Sequence, residues 1–226
     1  DSLLSEILQL PFVDSLLMVK PSISKQGAAT SKIQNQKWKE ETTYDAGNWQ
    51  EDYFNANYYF ASYMQNEMLG LIPLHDQDNV GKGKIIAVLD GGFIGVNDAD
   101  AFKHLWDSQR IIGVKDIVNP SDSKPFNSST HGTAVLSIMA MSLPQYFVGS
   151  GPGASYLLVK TEDVGTEYLI EEFNWLAGAE FADSMGADII NSSLSYTEFD
   201  DPGQNHTYVE LDGKTTIVAK AANLAS

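Results

Sequence analysis

The stretch 84–92, KIIAVLDGG, is an uninterrupted apolar run that ends in a carboxylate and two glycines. Residues 85–89 lack the alternation of a half-exposed strand, so they predict a strand that is buried on both faces. Asp90 follows at the C-terminal end of this strand, where parallel sheets form their binding sites. The glycines allow the chain to turn away sharply. This stretch therefore predicts a buried strand that delivers one carboxylate to a site.

Strand and helix patterns continue to alternate on the C-terminal side of this stretch. In chain order they predict a strand at 110–118, a helix at 131–141, a strand at 155–160, a helix at 167–185, a strand at 187–191 and a helix at 215–226. Such alternation is typical of parallel sheets whose connections are helical. We therefore expect an α/β fold, with a doubly wound, mostly parallel sheet and helices on both faces.

His131 opens the first of these predicted helices, within the sequence STHGT at 129–133. A nucleophilic hydrolase needs an imidazole that accepts a proton and a carboxylate that fixes the tautomer of this imidazole. The spacing of Asp90 and His131 shows only that the two could meet in such a fold. Taken alone, Asp-Gly-Gly is also a common turn and His-Gly-Thr is also a capped helix start, so a structural interpretation stays open.

Four motifs resemble those of the subtilisin-like serine peptidases, the subtilases. They are IAVLDGGF at 86–93, THGTAV at 130–135, GSGPGASYLLVK at 149–160 and ADIINSSLS at 187–195. They occur in the order that the family has, each on the type of element on which the family places it. The resemblance covers about residues 63–226. Within the family, the acidic residues that follow Lys160 are most similar to those of secreted, Bacteroidetes-type members.

The resemblance implies a serine endopeptidase that hydrolyses protein or peptide substrates through an Asp-His-Ser triad. Asp90 would be the orienting carboxylate and His131 the general base. The edge formed by Ser193, Leu194 and Ser195 would pair with an extended substrate backbone, as in β-strand addition. A secreted or cell-envelope location is also implied by the family.

Two residues depart from the family pattern. Ser195 stands where family members usually have Gly, and its side chain could narrow the cleft. Gly91 stands where they usually have Ser or Thr, which removes one hydroxyl group beside the site. No cofactor is required, and no set of side chains has metal-ligand spacing; Ca²⁺ remains open as a structural ion, with Asp98 and Asp100 as the oxygen ligands considered.

The Gly-Thr-Ser motif that carries the nucleophile in the family does not occur in these 226 residues. We expect the Ser to lie beyond the end of the chain, so that the catalytic domain is incomplete at the C-terminus and the chain alone is inactive. Asn223 is not expected to be the oxyanion Asn, because it falls in a predicted helix. The expected partner is a C-terminal chain that carries the Ser, or a second copy of this chain.

Two alternatives remain. The first is a catalytically inactive, peptide-binding module on a subtilase-like scaffold. The second is an unrelated hydrolase with Asp90 as nucleophile, which leaves the motifs at His131 and at 187–195 unexplained.

The predicted organisation has three parts. Residues 1–22 resemble the tail of a subtilase propeptide, residues 23–62 form a polar linker and an extended, aromatic N-terminal arm, and residues 63–226 form the N-terminal part of the catalytic domain. The formal net charge of −16 argues against nucleic acid as a partner. The absence of Cys excludes disulfides and Cys-based sites. No apolar run is long enough to predict a membrane span.

Overall fold

A computed structural model describes residues 53–121 and 125–226. The propeptide-like segment 1–22 and the linker 23–52 lie outside these described residues. The strands are β1 Ile85–Asp90, β2 Ile111–Asp116, β3 Ser142–Leu143, β4 Phe147–Val148, β5 Ser155–Lys160 and β6 Ile189–Ser192. The α-helices are α1 Tyr53–Tyr59, α2 Tyr63–Met68, α3 Ile72–Asp76, α4 Asp100–Asp107, α5 His131–Ala140, α6 Ile170–Ser184 and α7 Ile217–Ala225.

Four strands form one parallel sheet in the order β2-β5-β1-β6. The strand from which the fold was predicted, β1, lies between β5 and β6, and this explains its continuous apolar sequence. Residues Ala87, Val88 and Leu89 are fully buried. The short strands β3 and β4 form a separate antiparallel hairpin. The prediction of an α/β, mostly parallel sheet is confirmed.

One face of the sheet is covered by α6 and α7. Leu89 and Val159 pack there against Trp175 and Ala179 of α6. The close approach depends on Gly178, since a Cβ atom at this position would lie only 2.7 Å from Thr161 Cγ2. Any side chain at 178 would therefore push the helix away from the sheet.

The opposite face of the sheet is covered by α4 and α5. Val88 and Leu158 point to this side, where they join a cluster that includes Phe102, Leu105 and Leu136. Adjacent residues of one strand thus contact different helical layers, as the alternation of side chains along a strand requires. The predicted placement of helices on both faces is confirmed.

The aromatic segment at 53–63 is helical, so the prediction of an extended arm was wrong. It forms α1 and the start of α2, and Tyr59 is 2% exposed. The Tyr59 hydroxyl lies 2.8 Å from Nδ1 of His75, and burial raises the pKa of Tyr59 to about 12. Tyr58, Tyr59 and Tyr63 form a cluster with Ile72 of α3 and Val148 of β4, so the segment is held by tertiary contacts.

Several predicted element boundaries also moved. Strand β2 is shorter than predicted, at Ile111–Asp116, and α7 begins at Ile217 and not at residue 215. Helix α6 begins at Ile170, three residues later than predicted, and the N–H of Glu167 in the segment before it donates to the Asp200 carboxylate. Strand β6 begins at Ile189, because the side chain of Asp188 accepts the N–H of Ile85 at 2.9 Å and occupies the ladder position. Across the described residues, no helix is long and apolar enough to cross a membrane.

Truncation of a side chain between the sheet and α4–α5 tests this core. Leu158→Ala removes a fully buried side chain and should lower the free energy of unfolding by about 2–5 kcal/mol. Ile189→Ala at the sheet edge, where the residue is 52% exposed, should cost about 1 kcal/mol or less. Urea unfolding followed by circular dichroism gives both values, and equal losses would contradict the placement of the core.

Candidate active site

Asp90 ends the central strand with its side chain fully buried. Its Oδ1 accepts a hydrogen bond from the N–H of Gly91 at 2.7 Å. Its backbone carbonyl accepts one from Thr161 N at 3.0 Å, which ties the ends of β1 and β5 together. A carboxylate held in this way has little rotational freedom, and its position is set by the sheet.

His131 is the first residue of α5 and faces this carboxylate. Its Nδ1 lies 2.9 Å from Oδ1 and 3.0 Å from Oδ2 of Asp90. An ionised carboxylate can only accept, so Nδ1 carries the hydrogen and Nε2 presents a lone pair. The imidazole side chain is 35% exposed, and within the described residues Nε2 makes no hydrogen bond. The ring is therefore oriented on one side and accessible on the other.

Two glycines allow the helix to start this close to the strand end. A Cβ on Gly132 would lie 2.6 Å from the carbonyl oxygen of Gly92 and 2.9 Å from Cβ of Asp90. Gly92 itself has a φ of +142°, and a Cβ there would lie 2.4 Å from Ser128 Oγ. The glycines that follow Asp90 and His131 in sequence are thus what permits the contact between these two residues.

The electrostatics of the pair follow from burial. Loss of water around Asp90 raises the pKa of its carboxyl group, while the hydrogen bonds from His131 and from Gly91 N–H act in the opposite direction. The imidazole and the Gly91 N–H thus partly offset the cost of ionising this buried carboxyl group. Such a pair suits an imidazole that must accept a proton and hold the resulting positive charge.

An open cleft of about 340 Å³ lies over the pair. Its lining residues are Asp90, Gly91, His131, Glu162, Val164, Glu167, Ser193, Leu194 and Ser195. All five residues predicted for the site therefore meet in one cavity. The segment 193–195 reaches it because it follows β6, which is a direct neighbour of β1. The side chain of Asn223 lies elsewhere, on α7, and donates to the carbonyl of Gly213.

Two acidic residues of this cleft, Glu162 and Glu167, were not among the residues predicted for the site. Glu162 follows β5 by two residues and is only 7% exposed, and Glu167 lies between β5 and α6. Together with the buried Glu171, their carboxylate oxygens approach one another within 4.8 Å. Both residues follow β5, a strand that neighbours β1, and this position is the feature from which they could have been predicted. Asp98 and Asp100, considered for Ca²⁺, are exposed and belong to no such group among the described residues.

The chain is similar to known subtilases in sequence and in fold. A model of the subtilase family matches residues 81–224. A structure of the serine protease MycP1, described as an essential component of the type VII (ESX-1) secretion system, is 19% identical with a TM-score of 0.51, over 77% of this chain and 46% of that one. A second, titled MycP1 from the ESX-1 type VII secretion system, is 18% identical with a TM-score of 0.50, over 71% and 41%.

A third structure, that of the Prenylagaramide maturation protease PagA, is 24% identical with a TM-score of 0.44, over 69% of this chain and 46% of that one. The chain spans less than half the length of each of these structures.

No curated protein sequence is significantly similar to this chain. The family match covers more than half of the chain and includes both Asp90 and His131, and on this ground the chain belongs to the subtilase family.

Proposed function

We propose that this chain is part of a serine endopeptidase, to which it supplies the Asp and His of an Asp-His-Ser triad. The nucleophilic Ser is supplied from outside residues 1–226. The observation that carries the proposal is the contact of His131 Nδ1 with both carboxylate oxygens of Asp90, at 2.9 and 3.0 Å. It leaves Nε2 directed away from the carboxylate, where a serine hydroxyl would have to lie.

In this mechanism Nε2 of His131 accepts the proton of the Ser hydroxyl as the hydroxyl oxygen attacks the peptide carbonyl. The imidazolium that forms is stabilised by Asp90, whose carboxylate is shielded from water and so interacts strongly with a nearby charge. The same imidazolium then gives its proton to the leaving amine. Asp90 keeps its orientation throughout because the Gly91 N–H and the strand end hold it.

Substrate binding is assigned to the segment 193–195. Ladder pairing between β6 and β1 ends at Ser192. In the part of the chain that the structure describes, no hydrogen bond links the backbone of 193–195 to another segment. The segment lines the cleft, and we propose that its backbone groups pair with an extended peptide by β-strand addition. Leu194 and the Ser195 side chain would then contact substrate side chains.

The proposal also includes a partner and a location for the protein. The partner is a polypeptide that carries the Ser, or a second copy of this chain, and the protein is secreted or held in the cell envelope. The likeness to Bacteroidetes-type members stays a prediction. If Ca²⁺ binds, we expect it to act as a structural ion and to take no part in the reaction.

Fluorophosphonate labelling tests the proposed function. Protein isolated through a tag on this chain, together with any co-purifying polypeptide, is labelled and analysed by intact mass. We expect the label on a Ser outside residues 1–226. Asp90→Asn should slow labelling and peptide hydrolysis by on the order of 10⁴-fold, because the imidazole loses the acceptor that fixes its tautomer. His131→Ala should slow both by on the order of 10⁶-fold, because the Ser loses its general base.

Asp107→Asn is the matched control for the aspartate substitution. Asp107 is an exposed residue of α4 that pairs with Lys103, so its loss should leave labelling unchanged. A label on a Ser within these 226 residues would refute the assignment of the nucleophile. Peptide binding with no label on any co-purifying chain would instead favour the inactive, peptide-binding module.

The raised pKa of Asp90 predicts a pH-dependent effect on stability. The folded chain holds this proton more tightly than the unfolded chain, so the free energy of unfolding falls as the pH rises above the ordinary value of 3.8. Asp90→Asn removes this titration and keeps the shape of the side chain. From about pH 3 to about pH 7, the variant should therefore gain stability relative to the parent chain.

Urea unfolding of both chains at several pH values measures this difference. Because only the difference between the chains is used, titration of the other acidic residues cancels. If the free energy of unfolding of the variant relative to the parent chain stays constant, or falls as the pH rises, the raised pKa of Asp90 is contradicted.

A further inference from the structure

The turn that follows β1 and the segment that precedes α5 are hydrogen-bonded to each other. The first comprises residues 91–94 and is called the Asp turn, and the second comprises residues 125–130 and is called the His segment. Two backbone N–H groups of the Asp turn donate to carbonyl groups of the His segment, at 2.8 and 2.9 Å, and the pairs are Phe93 with Pro125 and Ile94 with Ser129. The two parts of the chain that lead from Asp90 and to His131 therefore move as one unit.

A side chain of the His segment adds a third bond between these two parts. The hydroxyl group of Ser128 donates to the carbonyl oxygen of Gly91 at 2.7 Å. The N–H of Gly91 in turn donates to Oδ1 of Asp90 at 2.7 Å. Both polar backbone groups of Gly91 are thus engaged, one by the buried carboxylate and one by Ser128. These bonds restrict a residue that has no side chain to limit its backbone rotation.

The next residue of the His segment holds the start of α5. The N–H of His131 donates to Oγ of Ser129 at 3.0 Å, and Ser129 is buried. This N–H is one of the groups at a helix start that have no partner within the helix. The side chain of the N-cap residue, Thr130, makes no capping hydrogen bond. Ser128 therefore holds the Asp turn, while its neighbour Ser129 holds the residue that carries the imidazole.

Ser128 brings a hydroxyl group to a turn in which subtilases usually have one of their own. At position 91, where they have Ser or Thr, a Cβ atom would lie only 2.8 Å from Val164 Cγ1, so a cleft residue occupies that space. At position 92 a Cβ atom would lie 2.4 Å from Ser128 Oγ. The hydroxyl group therefore reaches the turn from the His segment, and the glycine at position 92 makes room for it.

We infer that Ser128 is a positioning residue for the pair formed by Asp90 and His131. It acts through Gly91, because its hydrogen bond holds the turn beside the carboxylate against the segment that leads to the imidazole. Without this bond the contacts of Nδ1 with the two carboxylate oxygens, at 2.9 and 3.0 Å, would open more often. The inference rests on the proposed function, since it names a residue that keeps this pair in the geometry that the reaction needs.

Exchange of the His131 Nδ1 hydrogen with water measures this opening in the 226-residue chain itself. The hydrogen exchanges only when its contact with the buried carboxylate opens, and saturation transfer in proton NMR gives the rate at a fixed pH. The resonance is identified by its loss in His131→Ala. Ser128→Ala should raise the exchange rate about fivefold, the factor that corresponds to the loss of one neutral hydrogen bond. Ser128→Thr keeps the hydroxyl group and should restore the rate of the parent chain.

Ser137→Ala is the matched control. The Ser137 hydroxyl group donates to the carbonyl of Ala134 at 2.7 Å within α5, so this variant removes a hydroxyl bond of the same helix that does not involve the Asp turn. Its exchange rate should equal that of the parent chain. Ser128→Cys is the second test variant and remains informative if Ser128→Ala does not fold. A thiol fills a similar space but is a weak donor, so this variant should also raise the rate.

Steady-state kinetics of the assembled peptidase separate positioning from substrate binding. Ser128→Ala should lower kcat about fivefold and leave KM unchanged, because the lost bond affects the proton transfer and not the substrate-binding segment 193–195. Ser128→Thr should restore kcat. A raised KM with an unchanged kcat would make Ser128 a substrate contact and would overturn the inference.

The exchange rates decide the inference independently of the nucleophile. Equal rates in the parent chain, Ser128→Ala and Ser128→Cys overturn it, and so does a raised rate that Ser128→Thr does not restore. A fluorophosphonate label on a partner Ser, with equal exchange rates, would leave the peptidase and remove the role of Ser128. Faster exchange in Ser128→Ala, with no label on any chain, would leave the positioning of the pair and remove the peptidase.

Discussion

The buried carboxylate of Asp90 is the constraint on which the site depends. A carboxylate without water is costly unless hydrogen-bond donors replace the water. Here the donors are the Gly91 N–H and His131 Nδ1, so the same contacts that make the buried group tolerable also orient the imidazole. The two donors only partly offset the cost of burial, and the same two contacts set the orientation of the carboxylate and of the imidazole.

The parallel sheet brings the other parts of the site to this carboxylate. Strands β1, β5 and β6 are neighbours, and their C-terminal ends deliver Asp90, Glu162 and the segment 193–195 to one edge. Helices α5 and α6 lie close to the strands, because Gly132 and Gly178 carry no side chain at the points of contact. Each glycine loses more conformational entropy on folding than another residue would, but it permits a contact that a larger residue would prevent.

The sequence by itself determined the α/β class, the buried central strand and the candidate pair Asp90 and His131. The class and the buried strand follow from local patterns, an apolar run and helical periodicity, whereas the pair was indicated by its resemblance to the subtilase motifs. Only the tertiary structure decided that the aromatic segment forms helices, that α6 starts at Ile170, and that Glu162 and Glu167 line the cleft. The two glutamates are positioned by contacts between residues far apart in the chain, Asp200 with Glu167 and Tyr196 with Glu162, and no local pattern specifies such contacts.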